Sequence, residues 1–564
     1  MKIGRVSPLQ VFKFTQIKGR YLFKKQYINK MELMHKCPIC REVINNNLGK
    51  HILKVHGEKA FKEAVLKAKE KGMPDVQIGA LYGITFRQLE KVVTEAYGIN
   101  ISVLKRPKRI KYWRPKDFKE ETTTVWSFKR RGDWATHNGR YRGNWSPYIP
   151  RNVILKYSKP SDVVLDYFVG GGTTAVEAKL LGRRCIARDI NPACIGLTLE
   201  NLNFKLPREL FEEETYPIYE PQVSVGDARD LSDIGDNHID LICAHPPYAG
   251  IIRYSSKVEG DLSKLSIDDF LKEMAKVAKE SYRVLKPGGK CAILIGDTRR
   301  QKHVIPIGFK TINIFLNTGF KLKELVIKRQ HNCKTTGFWY EKSIKYNFLL
   351  LAHEYLPIFE KPKSPVFLSV KEVKPDYGLV VPVSQRPAIK RKLDKLETTT
   401  VWIFPQKDFE KCLNKNVIDR YSNGNGWSTI TFISHLEKEM RSSKEKRRKH
   451  KGLLFIKSPF LAKRPSYSDI EYYLNNLKKI VDQNLSNISK GRFLVIQTQD
   501  VRINEYIEPL AKRTVDAITS SNLWLKEIVV VTQEGVNLNT QNLGDYLEIA
   551  HQYLLVYEVI GEKE

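Results

Sequence analysis

Two short segments combine residue types that could do chemistry together. The first, residues 163–174, is an apolar run that passes into a glycine turn, Gly170-Gly171-Gly172. A turn of this kind lets backbone N–H groups approach a charged cofactor closely. The second, residues 245–248, is His-Pro-Pro-Tyr, which presents a polar side chain, a proline carbonyl and an aromatic face together. Together the two segments predict a cofactor loop and a clamp for a base extruded from a nucleic acid.

Three acidic residues stand at the ends of successive predicted strands. Asp166 closes the first apolar run, Asp189 ends the next one, and Asp227 follows a third. In a doubly wound sheet, an acid at such a position can accept hydrogen bonds from ribose hydroxyls. Each of them could be an ordinary loop carboxylate, but their repetition at strand ends favours ligand contacts along one edge of the sheet.

Residues 166–174 resemble the S-adenosylmethionine loop of the DNA amino-methyltransferases, which modify adenine N6 or cytosine N4. The loop of that family reads Asp-Pro-Phe-x-Gly-x-Gly-Thr-Thr, and Tyr167 replaces its proline. The resemblance spans residues 119–360 and implies an α/β, Rossmann-like class I methyltransferase fold. Residues 143–153 resemble the segment of the family that packs over the methionine end of the cofactor. The resemblance implies that the cofactor is held by Asp166, Phe168, Gly170, Gly172, Thr173, Thr174, Asp189, Asn191, Asp227 and Ala228.

The same resemblance implies catalytic roles for His245, Pro246, Pro247 and Tyr248. An exocyclic amine is a poor nucleophile because its lone pair is conjugated into the ring. The His245 side chain and the Pro246 carbonyl would accept hydrogen bonds from that amine while Tyr248 stacks on the base. The family usually has Asp, Asn or Ser at position 245, but a neutral imidazole also offers one acceptor nitrogen. The methylated atom, cytosine N4 or adenine N6, therefore stays open.

The bulk composition indicates a polyanionic partner. The chain has 564 residues and a formal net charge of +33, which favours binding to a phosphate backbone by counterion release. Ribosomal RNA, tRNA and DNA would all satisfy this charge.

No apolar run is long enough to span a membrane, and no cleavable leader is recognisable. The eight cysteines are scattered, which predicts a reducing, cytoplasmic location, here associated with the nucleoid.

The N-terminal region predicts a small metal-binding and helical module. Residues 1–30 form a basic arm, either a solubilising tail or a grip on the nucleic-acid backbone. Within residues 31–58, two cysteines and two histidines have the spacing of a structural zinc finger, with a central gap slightly shorter than usual. We expect this zinc ion to be bound by Cys37, Cys40, His51 and His56.

Residues 59–101 resemble a helix-turn-helix. Ile78 and Leu81 would face its core, Gly83 would make the turn, and Thr85 would cap the second helix. That helix would carry DNA-contacting side chains from Arg87, Gln88 and Lys91. A basic, proline-containing linker over residues 102–118 follows, and it predicts contact with phosphates.

The end of the chain repeats part of the region 119–360. Glu-Thr-Thr-Thr-Val-Trp occurs at residues 121–126 and again at residues 397–402, and residues 297–328 align without gaps on residues 500–531. The repeat aligns Lys457-Ser-Pro-Phe460 with the His-Pro-Pro-Tyr segment, but it lacks the glycine loop. After a linker over residues 361–396, residues 397–564 therefore predict a degenerate methyltransferase-like lobe, and the chain would be a monomer with an internal pseudo-dimer.

These features predict a site-specific methyltransferase acting on double-stranded DNA. Recognition of the DNA sequence would fall to the N-terminal module, to the degenerate lobe, or to both. Whether a cognate restriction endonuclease accompanies it stays open. An RNA enzyme of the tRNA guanine-N2 type is an alternative, because it shares the glycine loop and the Pro-Pro-Tyr site. A non-catalytic DNA-binding regulator is a third alternative, against which the intact glycine loop argues.

Overall fold

A computed structural model describes most of the chain and divides it into two compact units, Met1–Lys105 and Arg106–Glu564. No helix in the part of the chain it describes is both long and apolar enough to cross a membrane. Apart from short gaps of one or two residues, the described ranges are 10–17, 20–27, 35–44, 48–92, 107–206, 216–249, 258–331, 337–363, 393–422, 426–431, 451–457, 466–534 and 546–560.

The N-terminal unit contains two small hairpins and two helices. Strands β1 (Gln10–Ile17) and β2 (Arg20–Tyr27) pair antiparallel, as do β3 (His35–Lys36) and β4 (Val43–Ile44). The helix Leu48–Glu70 bends at Gly57, whose φ of 84° suits glycine, and the helix Asp75–Tyr82 follows. The segments predicted as finger and helical module share one buried core, made of Cys37, Leu48, Ile52, Phe61, Val65, Ile78, Tyr82, Leu89 and Val92.

The segment that follows the helix Asp75–Tyr82 contains a turn and a side-chain cap. Ile78 is buried, and Gly83 adopts a φ of 65° directly after the helix. The Thr85 hydroxyl accepts a hydrogen bond from the backbone N–H of Gln88 (3.3 Å), while the Gln88 side chain accepts one from the backbone N–H of Thr85 (2.8 Å). This reciprocal cap begins a second helix. Arg87 and Lys91 lie outside the described residues.

The second unit begins with an eight-stranded sheet. Its strand order is β10-β8-β7-β11-β12-β16-β15-β6, and β16 alone runs antiparallel to its neighbours. Because β7, β8, β10 and β11 are parallel, their carboxyl ends meet at one edge of the sheet, where α/β proteins bind ligands. The strands of this region are β5 (Lys108–Arg109), β6 (Val125–Trp126), β7 (Val163–Asp166), β8 (Arg184–Asp189), β9 (Phe204–Lys205), β10 (Gln222–Val225), β11 (Ile239–Ala244), β12 (Leu285–Ile293), β13 (Thr298–Arg300), β14 (His303–Ile305), β15 (Lys321–Arg329) and β16 (His353–Glu360).

Helices cover the sheet because each presents an apolar face. In the helix Ile267–Val284, for example, Phe270, Met274 and Val277 are buried at helical spacing, and Ser266 caps the N-terminus through the N–H of Asp269. The other helices of this region are Tyr148–Tyr157, Thr173–Leu180, Pro192–Leu202, Ile307–Asn317 and Gly337–Tyr346, with a 3-10 turn at Leu262–Lys264.

Part of the predicted basic linker is bound to this fold. Its strand β5 pairs in parallel with β9, and Ile110 and Trp113 pack against the core beneath. Tyr112 is exposed. This part of the linker is therefore fixed to the sheet, and exposed side chains such as Tyr112 remain accessible to a nucleic acid.

Residues 397–560 form a six-stranded sheet of related order, β17-β23-β24-β20-β19-β18. Taken in this order, the six strands correspond to β6, β15, β16, β12, β11 and β7 of the eight-stranded sheet. Within the described residues, no strand corresponds to β8 or β10. The helices are Phe409–Tyr421, Tyr467–Leu485 and Leu510–Ala517, with a 3-10 turn at Gln406–Asp408. The strands are β17 (Val401–Phe404), β18 (Trp427–Thr431), β19 (Lys451–Lys457), β20 (Ile488–Thr498), β21 (Val501–Ile503), β22 (Tyr506–Glu508), β23 (Leu523–Gln533) and β24 (His551–Val559). We call residues 119–360 the first lobe and residues 397–560 the second lobe.

The two lobes contact each other through equivalent residues of the repeat. Thr124 of the first lobe lies 2.8 Å from Nδ1 of His551, and Thr400 of the second lobe lies 2.8 Å from Nδ1 of His353. Two ion pairs are reciprocal in the same way: Arg299 with Glu527, and Arg502 with Glu324. The lobes therefore face each other about an approximate two-fold axis, as the subunits of a symmetric dimer do.

Glu527→Ala is expected to lower the free energy of unfolding by about 3–5 kcal/mol, because it leaves Arg299 with a largely buried, uncompensated charge. Chemical denaturation would measure the change. Glu505→Gln is the matched control, since Glu505 also pairs with a residue of the other lobe, Lys323, but is exposed. A similar loss of stability in both variants would contradict the explanation that the large effect comes from the burial of the Arg299–Glu527 pair.

Candidate active site

The glycine loop connects the end of β7 to the helix Thr173–Leu180. Gly170 and Gly172 have φ values of 50° and 82°, in the left-handed region that favours glycine. A Cβ atom on Gly170 would lie only 2.8 Å from the ring of Tyr141. The loop thus requires glycine both for its backbone angles and for the close approach of Tyr141.

Asp189, at the end of β8, holds this loop in place. Its carboxylate accepts hydrogen bonds from the backbone N–H of Gly170 (3.0 Å) and of Asn191 (2.9 Å). The Asn191 side chain in turn accepts from the N–H of Ala193 and caps the helix Pro192–Leu202. Burial raises the pKa of Asp189 above its usual value.

The other two predicted acids differ in their surroundings. Asp166 is fully buried, and burial raises its pKa to about 7. Asp227 is partly exposed and accepts hydrogen bonds from the Arg229 guanidinium. Although burial works in the opposite direction, these bonds hold the pKa of Asp227 below its usual value. Asp227 is therefore ionised at neutral pH.

The glycine loop and the His-Pro-Pro-Tyr segment line one cavity, which encloses about 780 Å³ including its open mouth. Tyr141, Asn144 and Trp145 from the loop before the helix Tyr148–Tyr157, and Asp261 from a later turn, complete its wall. Among the residues predicted from the sequence, the lining includes Phe168, Gly170, Asp189, Asn191, Asp227, Ala228, His245 and Pro247.

The remaining predicted residues are not among those that line the cavity. The Asp166 carboxylate accepts from the N–H of Phe168 (3.0 Å), and the Thr173 hydroxyl donates to the Asn144 side chain (2.5 Å). Gly172 ends the turn, while Thr174 and Pro246 are buried. Asp166 and Thr173 thus stabilise the glycine loop through their hydrogen bonds. Tyr248 is half-buried and is also not part of the lining.

His245 follows the last residue of β11 and is held between two aromatic rings. Its ring stacks on Trp145, with 5.5 Å between centroids and 23° between planes. Its Nε2 atom lies 3.0 Å from the Tyr248 hydroxyl. Burial lowers the pKa of His245 to about 4, so the imidazole is neutral at pH 7.

Two residues that the sequence analysis did not single out, Lys328 and Glu354, join the hydrogen bonds of Tyr248. The Tyr248 hydroxyl donates to Oε1 of Glu354 (2.7 Å), and Nζ of Lys328 donates to Oε2 (2.8 Å). Although burial opposes it, the Lys328 cation lowers the pKa of Glu354 to about 2. Gly296 allows this close packing, since a Cβ there would approach the Tyr248 ring to 3.1 Å. The sequence gives one indication of these two residues: the repeat does not keep them, and it has Val531 and Gln552 at the aligned positions.

The predicted metal ligands also come together. The ligand atoms of Cys37, Cys40, His51 and His56 all lie within 4.8 Å of one another. The Cys40 sulfur is 3.3 Å from Nε2 of His51, and the Cys37 sulfur is 3.7 Å from Nε2 of His56. Separations of this size are those between ligands of one tetrahedral zinc ion.

The strand order of the first lobe, with one antiparallel strand in an otherwise parallel sheet, defines a Rossmann-like class I methyltransferase fold. The profile of the DNA methylase family matches residues 47–200 and 239–452, and the chain belongs to this family. The fold class and the family resemblance expected from the sequence are thus confirmed.

Individual relatives are more distant. The type II methyltransferase M.MthZI of Methanothermobacter thermautotrophicus is 27% identical over 164 residues, which cover 26% of this chain and 46% of that protein. A tRNA (guanine(10)-N2)-dimethyltransferase of the same species is 34% identical over 132 residues, covering 23% and 34%. The chain thus spans less than half the length of these curated relatives. A SAM-dependent methyltransferase structure from Methanosarcina mazei is 16% identical with a TM-score of 0.25, covering 38% of this chain and 98% of that one.

Proposed function

We propose that this protein is an S-adenosylmethionine-dependent methyltransferase that modifies an exocyclic amino group, cytosine N4 or adenine N6, of a base flipped out of double-stranded DNA. One observation carries the proposal: in a chain of the DNA methylase family, residues of the glycine loop line the same cavity as His245 and Pro247 of the His-Pro-Pro-Tyr segment. The net charge of +33 supports a nucleic acid as the partner.

The cavity fits the cofactor chemically. Its wall offers the carboxylates of Asp189 and Asp227 as acceptors for hydroxyl and amino groups, and apolar surface from Phe168. When bound, S-adenosylmethionine supplies a methyl group on a sulfonium centre. The residues of the chain orient the two reactants, and this orientation is a large source of acceleration.

On the base side, the tetrapeptide holds the amino group. The neutral His245 imidazole accepts a hydrogen bond from it, and the Pro246 carbonyl accepts a second one. These bonds draw the nitrogen away from conjugation with the ring and raise its nucleophilicity in the transition state. Tyr248 places its ring beside the base.

Asp189→Ala is expected to weaken S-adenosylmethionine binding about 10-fold to 100-fold, because it removes the carboxylate proposed to accept from the cofactor and also the two bonds that hold Gly170 and Asn191. Titration calorimetry would measure the dissociation constant. Asp236→Ala is the control, because Asp236 is an exposed acid of the same lobe that pairs with Arg283. Equal affinity in both variants would contradict a cofactor role for Asp189.

The proposed reaction is tested by incubating the protein with unmodified duplex DNA and radioactive S-adenosylmethionine, followed by mapping of modified bases. We expect N4-methylcytosine or N6-methyladenine at a defined sequence. The similarity to a tRNA dimethyltransferase favours RNA as the second candidate substrate, so tRNA is labelled in parallel. Preferential labelling of tRNA would overturn the DNA assignment, and failure to bind the cofactor would favour a DNA-binding regulator.

We further propose that Cys37, Cys40, His51 and His56 bind one structural zinc ion, and that the N-terminal module contacts DNA. The converging ligand atoms support the first proposal. The cap formed by Thr85, after a turn at Gly83, supports the second because a turn followed by a capped segment is the arrangement expected in a helix-turn-helix. The second lobe would take the place of a dimer partner, since its contacts with the first lobe are reciprocal.

A further inference from the structure

We propose that Lys328, Glu354 and Tyr248 are positioning residues that hold His245 in a single tautomer, with the proton on Nε2 and the lone pair on Nδ1 directed to the target amine. This inference rests on the proposed function for the identity of that amine. The tautomer itself follows from the hydrogen bonds of the first lobe.

The direction of the hydrogen bonds is determined by the carboxylate. An ionised carboxylate can only accept, so the Tyr248 hydroxyl donates its single proton to Glu354 over 2.7 Å. The Tyr248 oxygen can therefore only accept from His245, whose Nε2 lies 3.0 Å away. Nε2 must then carry the proton.

A neutral imidazole has only one ring proton, so its other nitrogen is an acceptor. Nδ1 of His245 makes no hydrogen bond to any residue that the structure describes, while His245 is one of the residues that line the cavity. The stacked ring of Trp145 restricts rotation of the imidazole. Histidine can thus supply the lone pair that Asp, Asn or Ser supplies in the family.

Lys328 determines the charge of Glu354. The two residues are direct partners in the register of β15 and β16, and Glu354 is only 6% exposed. A carboxyl buried to this extent without a cation would favour its protonated form. A protonated Glu354 could donate to the Tyr248 oxygen, and the tyrosine could then donate to Nε2, which would reverse the tautomer. The cation of Lys328 prevents this reversal.

The second lobe supports the link to catalysis. At the positions of Lys328 and Glu354 it has Val531 and Gln552, which are also direct partners in its sheet. Gln552 instead accepts a hydrogen bond from Gln497 (2.8 Å). The sequence also has Lys457 and Phe460 in place of His245 and Tyr248.

Residues that support folding are kept in both lobes. His353, Tyr355 and Asp297 of the first lobe have identical counterparts in His551, Tyr553 and Asp500, with the same histidine–tyrosine hydrogen bond. The positioning chain is therefore absent from the lobe that lacks the glycine loop, although the surrounding structural network is retained. This contrast indicates a role in the reaction and not in folding.

The test combines nitrogen NMR with kinetics. The full-length protein is labelled with 15N-histidine, and the His245 signal is assigned by its loss in His245→Ala. In the wild-type protein we expect Nε2 protonated and Nδ1 unprotonated. In Glu354→Gln the amide can donate to the Tyr248 oxygen, so we expect a mixed or reversed tautomer. The kcat should fall at least about tenfold, as when other histidine-orienting carboxylates are removed, while KM for DNA stays unchanged.

Two further variants complete the design. Tyr248→Phe keeps the ring but removes the hydroxyl, and it should also release the tautomer. Glu360→Gln is the matched control, because Glu360 is a buried acid of the same strand that accepts from Tyr506 (3.0 Å) and pairs with Lys290. It should change neither the His245 spectrum nor kcat.

The inference is overturned if the wild-type protein carries the proton on Nδ1, or if Glu354→Gln leaves the spectrum unchanged. The spectrum requires no methyl transfer. A wild-type protein that shows the expected tautomer but methylates no DNA would therefore overturn the proposed substrate while supporting the tautomer assignment.

Discussion

His245→Ala is expected to slow methyl transfer to DNA by about 10²-fold to 10³-fold, the usual cost of removing one hydrogen-bonding group that acts in the transition state. His245 and Pro247 are the residues of the tetrapeptide in the cavity lining, and of these two only His245 has a side chain that can accept a hydrogen bond. Its loss leaves the target amine with the Pro246 carbonyl as its acceptor. Single-turnover incorporation of radioactive methyl groups would measure the rate.

The cofactor should still bind to this variant, because the glycine loop and Asp189 hold their geometry without His245. His238→Ala is the control, since His238 is an exposed histidine near the start of the same strand. Unchanged methylation by His245→Ala would contradict the assignment of the tetrapeptide as the catalytic segment. A parallel loss of cofactor affinity would point to a structural role for His245.

Removal of zinc is expected to unfold the N-terminal unit. A structural zinc ion contributes an apparent binding free energy of about 10–16 kcal/mol in finger peptides, which is more than a small module can replace by packing. Cys37→Ser should lose the metal, since Cys37 is a predicted ligand and also part of the buried core of this unit. Metal analysis should find one zinc per chain in the wild-type protein and none in the variant.

Hydrogen exchange would locate the effect. We expect amides of the helix Leu48–Glu70 to lose protection in Cys37→Ser, while the strands of the first lobe keep theirs. Cys412→Ser is the control, because Cys412 lies in a helix of the second lobe and outside the metal cluster. Full protection of residues 48–70 in a metal-free protein would contradict the zinc proposal.

The second lobe keeps the residues of the repeat that contact the first lobe. It retains the threonines and histidines that join the lobes, and it retains the buried ion pairs. It lacks, within the described residues, the strands that would carry a cofactor loop. The first lobe thus contacts a related lobe of the same chain through reciprocal bonds, as one subunit of a dimer contacts the other.

Much of the site could be predicted from the sequence because its determinants are local. A glycine turn between an apolar strand and a helix has the same geometry wherever it occurs, and Gly170 and Gly172 adopt it. The cap formed by Thr85 and Gln88 is equally local. Local patterns of this kind also indicated the order of strands and helices, and therefore the fold class.

Other parts of the site depend on strand pairing and could not be predicted. Strands β15 and β16 join the sheet far along the chain from the glycine loop, and only their register places Lys328 opposite Glu354 beside Tyr248. The sequence likewise did not distinguish Asp189, which lines the cavity, from Asp166, which is buried behind it. Both acids end strands, and their exposure depends on what packs over them.

By itself, the sequence determined which short segments are candidates for chemistry: the glycine loop, the tetrapeptide and the two cysteine–histidine pairs. Each is a short segment whose backbone geometry is set by its own residues. Only the tertiary structure decided which side chains complete the site and in which protonation state they act. The pKa of His245 and the charge of Glu354 depend on burial and on neighbours from distant strands, and these exist only when the sheet is assembled.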